Sequence, residues 1–330
     1  MMSVPDFVDR HANLADAQLG AHAVFATDEF FGAKARLLKT EPPVFEVGRF
    51  DAHGKWMDGW ETRRRRAAGY DHCVVRLAAR GVLHGVDIDT SHFTGNYPPA
   101  ASLEACLSDS ESADGADWVE IVPRVSLGPN AHHWVAIDHP HPVSHLRLNI
   151  FPDGGVARLR AYGSIAFDWA ALDPDELVDL GALLHGGRAV GCNDAHYGTP
   201  ANMLKPGRAA NMGDGWETRR RREPGFDWCV IALGHQGVLR RIEIDTNHFK
   251  GNFPARCAIH AGLAPAGLPD EAIVAQAMHW PELLPPQAMQ ADTNHVFDSG
   301  LAELGPISHV RLDLHPDGGV SRLRLFGRAA

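Results

Sequence analysis

The chain has 330 residues, of which 45% are hydrophobic and 22% charged, with 33 Gly and 22 Pro. This composition excludes general disorder, and the wealth of turn residues favours a strand-rich fold over a helical bundle. The formal net charge of −10 argues against a nucleic-acid partner, and no run of 18 apolar residues offers a membrane-spanning helix.

The segment Met1–Gly20 has scattered charges and no apolar core, so no secretory signal is expected. Cys73-Val-Val-Arg-Leu-Ala78 reads as an apolar strand, Arg80-Gly81 as a turn, and Val82–Thr90 as the next strand. Leu146, Leu148 and Ile150 alternate with Arg147 and Asn149, the period of a strand with one buried face. Pro152-Asp-Gly-Gly155 then reads as a hairpin turn. Asp173-Pro-Asp-Glu176 followed by Leu177, Val178, Leu180, Leu183 and Leu184 predicts a short capped helix ending at His185-Gly186-Gly187. Beyond it the plan repeats in Cys229–Leu233, Val238–Thr246, the alternation of Val310, Leu312 and Leu314, and the turn Pro316-Asp-Gly-Gly319.

The repetition is a duplication. Asp58-Gly-Trp-Glu-Thr-Arg-Arg-Arg-Arg66 recurs from Asp214 to Arg222, and 25 of the 41 positions from Asp58 to Pro98 are identical in Asp214–Pro254. Arg158, Arg160 and Gly163 match Arg322, Arg324 and Gly327. The connection from Lys39 to Asp58 has a counterpart about half as long from Lys205 to Asp214. Copies of this size are domains, not solenoid units. The predicted organisation is one all-β module over 20–165, a linker with a short helix over 166–187, and a second all-β module over 188–330. Short strands with regular turns indicate tandem jelly-roll sandwiches.

The polar residues kept in both copies are the candidates for chemistry. Glu61 and Glu217 precede a run of four arginines. Arg63 and Arg219, planar bidentate donors, suit a carboxylate; the alternative is an ion-pair network with the surplus acids. Asp89, His92 and Asn96, with Asp245, His248 and Asn252, follow a strand end, where loops carry binding groups. An Asp near a His can orient the ring for acid–base work; the alternative is an Asx turn and a His held by backbone. His132-x-Trp134 is aligned with His295-x-Phe297. The five cysteines are odd in number and lack CxxC spacing, so neither a disulfide framework nor a zinc knuckle is expected, and the compartment reads as reducing. Cys73, Cys229, Thr62 and Thr218 are the repeated nucleophile types, with the cysteines placed for packing.

The motifs Asp-Gly-Trp-Glu-Thr-Arg-Arg-Arg-Arg, Ile-Asp-Thr-x-His-Phe-x-Gly-Asn and Pro-Asp-Gly-Gly-Val-x-Arg-Leu-Arg, all duplicated, resemble the allantoicase family from about Gly20 to Gly327. The resemblance implies two jelly-roll modules of the galactose-binding-like type. It also implies a cytoplasmic homo-oligomer that hydrolyses allantoate to ureidoglycolate and urea. Arg63 and Arg219 are then candidate clamps for the substrate carboxylate. Asn96, Asn252, Asp89 and Asp245 are candidate partners for the rest of the substrate, and Glu61, Glu217, His92, His248, His132 and His295 are candidate acids and bases. The second ureido nitrogen of the substrate can help expel the first, so no covalent enzyme intermediate is expected. No cofactor is required by the sequence; a divalent metal polarising a ureido oxygen is the alternative. The competing class is a tandem binding module for a sugar or an anion.

Overall fold

The alternating run from Asp71 to Asp89 folds as one continuous strand instead of the two expected on either side of Arg80-Gly81. Its first half pairs with His22–Ala26 and Val143–Phe151, and its second half with Arg158–Ile165 and His132–Ala136. Gly81 is where the partners change. A Cβ there would lie 2.5 Å from Leu14 Cδ1 and 2.8 Å from the Ser164 carbonyl oxygen. The glycine therefore marks a corner at which the strand passes between sheets, a place of close backbone approach, and not a turn. Gly237 holds the same place in the second copy, with a Cβ position 2.3 Å from the Arg328 carbonyl oxygen.

The structure is a computed structural model in which residues 4–330 are described, and the chain divides into two units between Phe167 and Asp168. In the first unit one sheet runs His22–Ala26, the first half of Asp71–Asp89, Val143–Phe151, Ala100–Cys106 and Val119–Ser126. The other runs Ala12–Asn13, Arg158–Ile165, the second half of Asp71–Asp89 and His132–Ala136. Every pairing is antiparallel. Leu103, Leu148, Val75, Ile88 and Leu159 fill the space between the sheets, each contributing roughly 1.5–3 kcal/mol by burial. The second unit repeats the plan around Asp227–Asp245, flanked by Arg188–Cys192 and Ile307–His315 on one half and by Arg322–Ala329 and Asn294–Phe297 on the other. Each unit is a jelly-roll sandwich.

Two local expectations are corrected. The Pro-Asp-Gly-Gly segments do not close hairpins: Val143–Phe151 and Arg158–Ile165 lie on opposite halves of the long strand, so the turn carries the chain from one sheet to the other. Gly154 and Gly318 have φ near +140, and a Cβ at Gly154 would lie 2.6 Å from the Pro98 nitrogen; only glycine fits there. The capped helix over 173–184 is replaced by a two-residue strand, Val178–Asp179, paired with Arg322–Ala329, and a 3-10 turn over Leu183–His185. An isolated helix this short is marginal. Edge pairing satisfies the same backbone groups, buries Leu180 completely, and lets Asp179 accept from the Leu325 and Gly181 amides.

Candidate active site

Trp60–Glu61 forms a short strand against Gly155–Val156. The buried Trp60 indole donates to the Asp28 carbonyl at 2.8 Å, and alternation turns Glu61 away from it. Glu61 Oε1 accepts from Asn96 Nδ2 at 2.7 Å. Burial raises the Glu61 carboxyl above its ordinary range, while the Asn96 amide and the charge of Lys55 pull it partly back. His92 has φ +69, and its amide donates to Asn130 Oδ1 at 2.8 Å. The ring Nε2 lies 3.1 Å from the Pro43 carbonyl oxygen. A carbonyl only accepts, so Nε2 carries a proton, which in the neutral ring leaves the lone pair on Nδ1. Glu61, His92 and Asn96 line a cavity of about 300 Å³ together with Phe31, Lys55, Met57, Thr94 and Gly95, a size suited to a small ligand.

The second unit repeats much of this. Glu217 Oε1 accepts from Asn252 Nδ2 at 2.6 Å, and His248, φ +72, donates from Nε2 to the Ala209 carbonyl at 2.9 Å. Here Met212 Sδ lies 3.8 Å from Asn252 Nδ2.

In both units the connection before the Asp-Gly-Trp-Glu motif is stapled by one arginine. Arg158 is fully buried and donates to the carbonyls of Glu41 and Asp58 and to the Asp58 carboxylate, which also holds Lys39 at 2.6 Å. Burial opposes the charge on Asp58, but Lys39 and Arg158 outweigh it and hold its carboxyl below the usual range. Arg322, Asp214 and Lys205 form the same staple in the second unit. The longer first-unit connection contributes Pro43, Lys55 and Met57 to the surroundings of His92 and Glu61.

The remaining candidates fall elsewhere. Arg63 is mostly exposed and paired with Asp28 through its amide and guanidinium, and Arg219 with Asp194 and Glu223; neither lines the cavity. Arg65 and Arg221 bind Asp71 and Asp227. Four of the eight arginines in the two runs, Arg63, Arg65, Arg219 and Arg221, are thus engaged in ion pairs with acids of their own unit. Asp89 and Asp245 accept from the amides of Ser91 and Asn247 in Asx turns and do not bond His92 or His248. The pairing of His132 with His295 is corrected by register: His132 stands opposite Asp89, whereas Asn294 stands opposite Asp245. His295 matches His133. In both, Nδ1 donates to an isoleucine carbonyl, Ile244 or Ile88, and Nε2 accepts a backbone amide. Both ring nitrogens of His295 are therefore occupied. His132 instead bonds Asp87 Oδ2 through Nδ1 at 2.7 Å. Thr62 and Thr218 are buried and bonded to the Gly154 and Gly318 backbones. Burial pushes the Cys73 thiol up to about 12 and Cys229 well above its ordinary value, which removes both as nucleophiles.

Sequence reasoning missed Lys55 and Asp87. Lys55 lies in the connection that is about twice as long as its counterpart in the other copy, and its only signal was the extra length. Asp87 corresponds to Glu243, a conservative replacement that an identity count passes over.

The family model that matches is the allantoicase repeat, over residues 12–166 and again over 178–330. The chain is 56% identical over 329 residues to a probable allantoicase 2 of Burkholderia pseudomallei, covering 99% of this chain and 98% of the relative. It is 56% identical over 326 residues to a probable allantoicase of Ralstonia nicotianae, covering 98% and 97%. The crystal structure of allantoicase from Saccharomyces cerevisiae superposes with a TM-score of 0.78 at 32% identity, covering 96% of this chain and 93% of that one. Two matched repeats that span most of the chain, near-complete coverage of the relatives and a shared fold together show that this chain belongs to the allantoicase family.

Proposed function

We propose that the chain hydrolyses allantoate to ureidoglycolate and urea, a step of purine breakdown, and that the reaction runs in the first unit's cavity. The observation that carries this placement is the convergence on one cavity of small-molecule size of Glu61, raised by burial, and His92, whose Nδ1 has no hydrogen-bond partner among the described residues. Lys55 supplies the cation for the substrate carboxylate. Asn96 holds Glu61 Oε1, leaving Oε2 to carry the proton. Glu61 then acts as general acid toward the departing ureido nitrogen. The lone pair of the second ureido nitrogen closes to a C=N bond as the C–N bond breaks and urea leaves. Water adds to the same carbon and gives its proton to His92 Nδ1. One water is consumed and no enzyme atom becomes bonded to substrate.

The same reading makes the enzyme a cytoplasmic homo-oligomer. Its five free cysteines suit a reducing compartment, and the oligomer follows from the family resemblance. No helix among the described residues is long and apolar enough to cross a membrane. The deciding experiment is release of urea and ureidoglycolate in equal amounts from allantoate by the purified protein. Activity is expected to survive extensive chelation, since the general acid and base are both protein groups. A folded protein, supplied with divalent ions, that releases no urea overturns the reading in favour of a binding module.

A further inference from the structure

The first unit has a second polar cluster, apart from the groups assigned to the reaction. Val86, Ile88, Leu159 and Ala161 belong to the core, so strand alternation puts Asp87, Asp89, Arg158 and Arg160 on the opposite face of their sheet. Register arranges them with the neighbouring strand as a grid of two rows. One row is Arg158, Asp89, His132; the other is Arg160, Asp87, Trp134. His132 stacks flat on Trp134, with ring centroids 5.4 Å apart and planes 9° apart.

Arg158 is fully committed to the connection above it. The rest of the grid is not. Asp87 Oδ1, Asp89 Oδ2 and Arg160 Nη1 are buried and have no hydrogen-bond partner among the described residues. Asp89 Oδ2 and Arg160 Nη1 face each other at 3.8 Å, beyond hydrogen-bond distance. Buried polar atoms are almost always paired, and three unpaired ones in one grid mark a place for a ligand. The set calls for a ligand that offers at least two N–H donors to the carboxylate oxygens and one acceptor to the guanidinium. An anion is repelled by the two aspartates, and an ammonium gives Arg160 nothing to bind. A planar carbamoyl group meets all three requirements.

We propose that this grid binds the terminal carbamoyl group of a ureide. The second unit places Arg322, Asp245 and Asn294 in one row and Arg324 and Glu243 in the other. There the same position opens as a cavity of about 360 Å³ lined by Glu243, Asp245, Asn294 and Arg208. Its Arg324 is bonded to the carbonyls of Met203, Lys205 and Gly207, so the unpaired donor is particular to the first unit.

The test is calorimetric titration of the full chain with methylurea, a neutral molecule with one carbamoyl group and no carboxylate for Lys55 to bind, followed by a crystal structure of the complex. The expected result is a carbamoyl group bonded to Asp87, Asp89 and Arg160, with binding about tenfold weaker in Asp87→Asn and Arg160→Gln and retained in Lys55→Met. Thermal melts report folding of each variant, and His132→Asn, which imports the second unit's residue, checks the grid without touching the unpaired atoms. Ordered water alone at those atoms overturns the proposal. So does binding that Lys55→Met abolishes while Asp87→Asn and Arg160→Gln leave it unchanged, or a hexose bound there in preference to methylurea. Urea release from allantoate, assayed on the same preparation, separates the two readings. Binding without turnover sinks only the hydrolase, and turnover with an empty grid sinks only this site.

Discussion

Glu61 combines two demands on one carboxyl. Burial disfavours its ionised form, so its pKa rises, and an acid with a raised folded-state pKa lowers stability once pH climbs through that value. Below its unfolded pKa the penalty vanishes. Glu61→Gln is therefore expected to cut kcat by about 10²–10⁴ while leaving the melting temperature at neutral pH unchanged or higher, since the amide still accepts from Asn96 and no longer ionises. Wild-type kcat should fall on the alkaline side as Glu61 loses its proton, at a pH above the usual carboxylate range. A pH–rate profile and thermal melts of both proteins check this; a variant that loses its fold would end the argument for a catalytic role. Lys55 belongs to the same scale. It is exposed, and no hydrogen bond or ion pair engages its ammonium among the described residues, although the group sits over the Phe45 ring at 4.6 Å. Lys55→Met is expected to raise KM for allantoate about tenfold with kcat within a few-fold, and Lys55→Arg to restore it. Glu61, His92 and Asn96 were legible because duplication repeats them. Lys55 was not, because comparison of two copies is blind to what only one of them has.

Among the elements, the connection from Lys39 to Asp58 does most to distinguish the copies. Its ends are held by a Lys–Asp–Arg staple identical to that of the shorter Lys205–Asp214 connection. The staple explains how one fold tolerates two lengths, since loop length itself costs little. Replacing 39–58 by the sequence of 205–214 is accordingly expected to keep the melting temperature within a few degrees, because the buried arginine keeps its partners. Steady-state assays should show KM for allantoate raised about tenfold or more, because Lys55 leaves the cavity, whereas the grafted segment resupplies a carbonyl for the histidine, as Ala209 does for His248. Full activity in the swapped protein would move catalysis out of this cavity. Elements also show how register escapes a linear reading. Aligning His132 with His295 looks natural by motif, yet strand pairing shifts the match by one residue to His133. One step along a strand turns the side chain to the other face. That step separates a histidine held on both nitrogens by backbone from one bonded to a buried aspartate.

For the molecule as a whole, duplication built two sandwiches on one plan and let their polar sites diverge. The reaction is assigned to the first unit's cavity; Glu217 repeats the bond to asparagine, but Met212 lies close to Asn252, and Lys250 stands where the first unit has Thr94. Glu217→Gln should therefore retain urea release within a few-fold of wild type, against the large loss in Glu61→Gln; equal losses in the two variants would show that both copies take part in the reaction. Strand content, tandem organisation, family and the repeated polar residues followed from the sequence alone. Alternation, turn chemistry and internal identity are properties of neighbours along the chain or of chain against chain. The tertiary structure alone decided that Gly81 is a corner between sheets and that Val178–Asp179 is an edge strand. It also decided that Arg63 is taken by Asp28, and that Glu61, His92 and Lys55 meet in one cavity. Each of these depends on which distant backbone or side chain satisfies a hydrogen bond or excludes water, and residues far apart in sequence supply that partner only once the chain has folded.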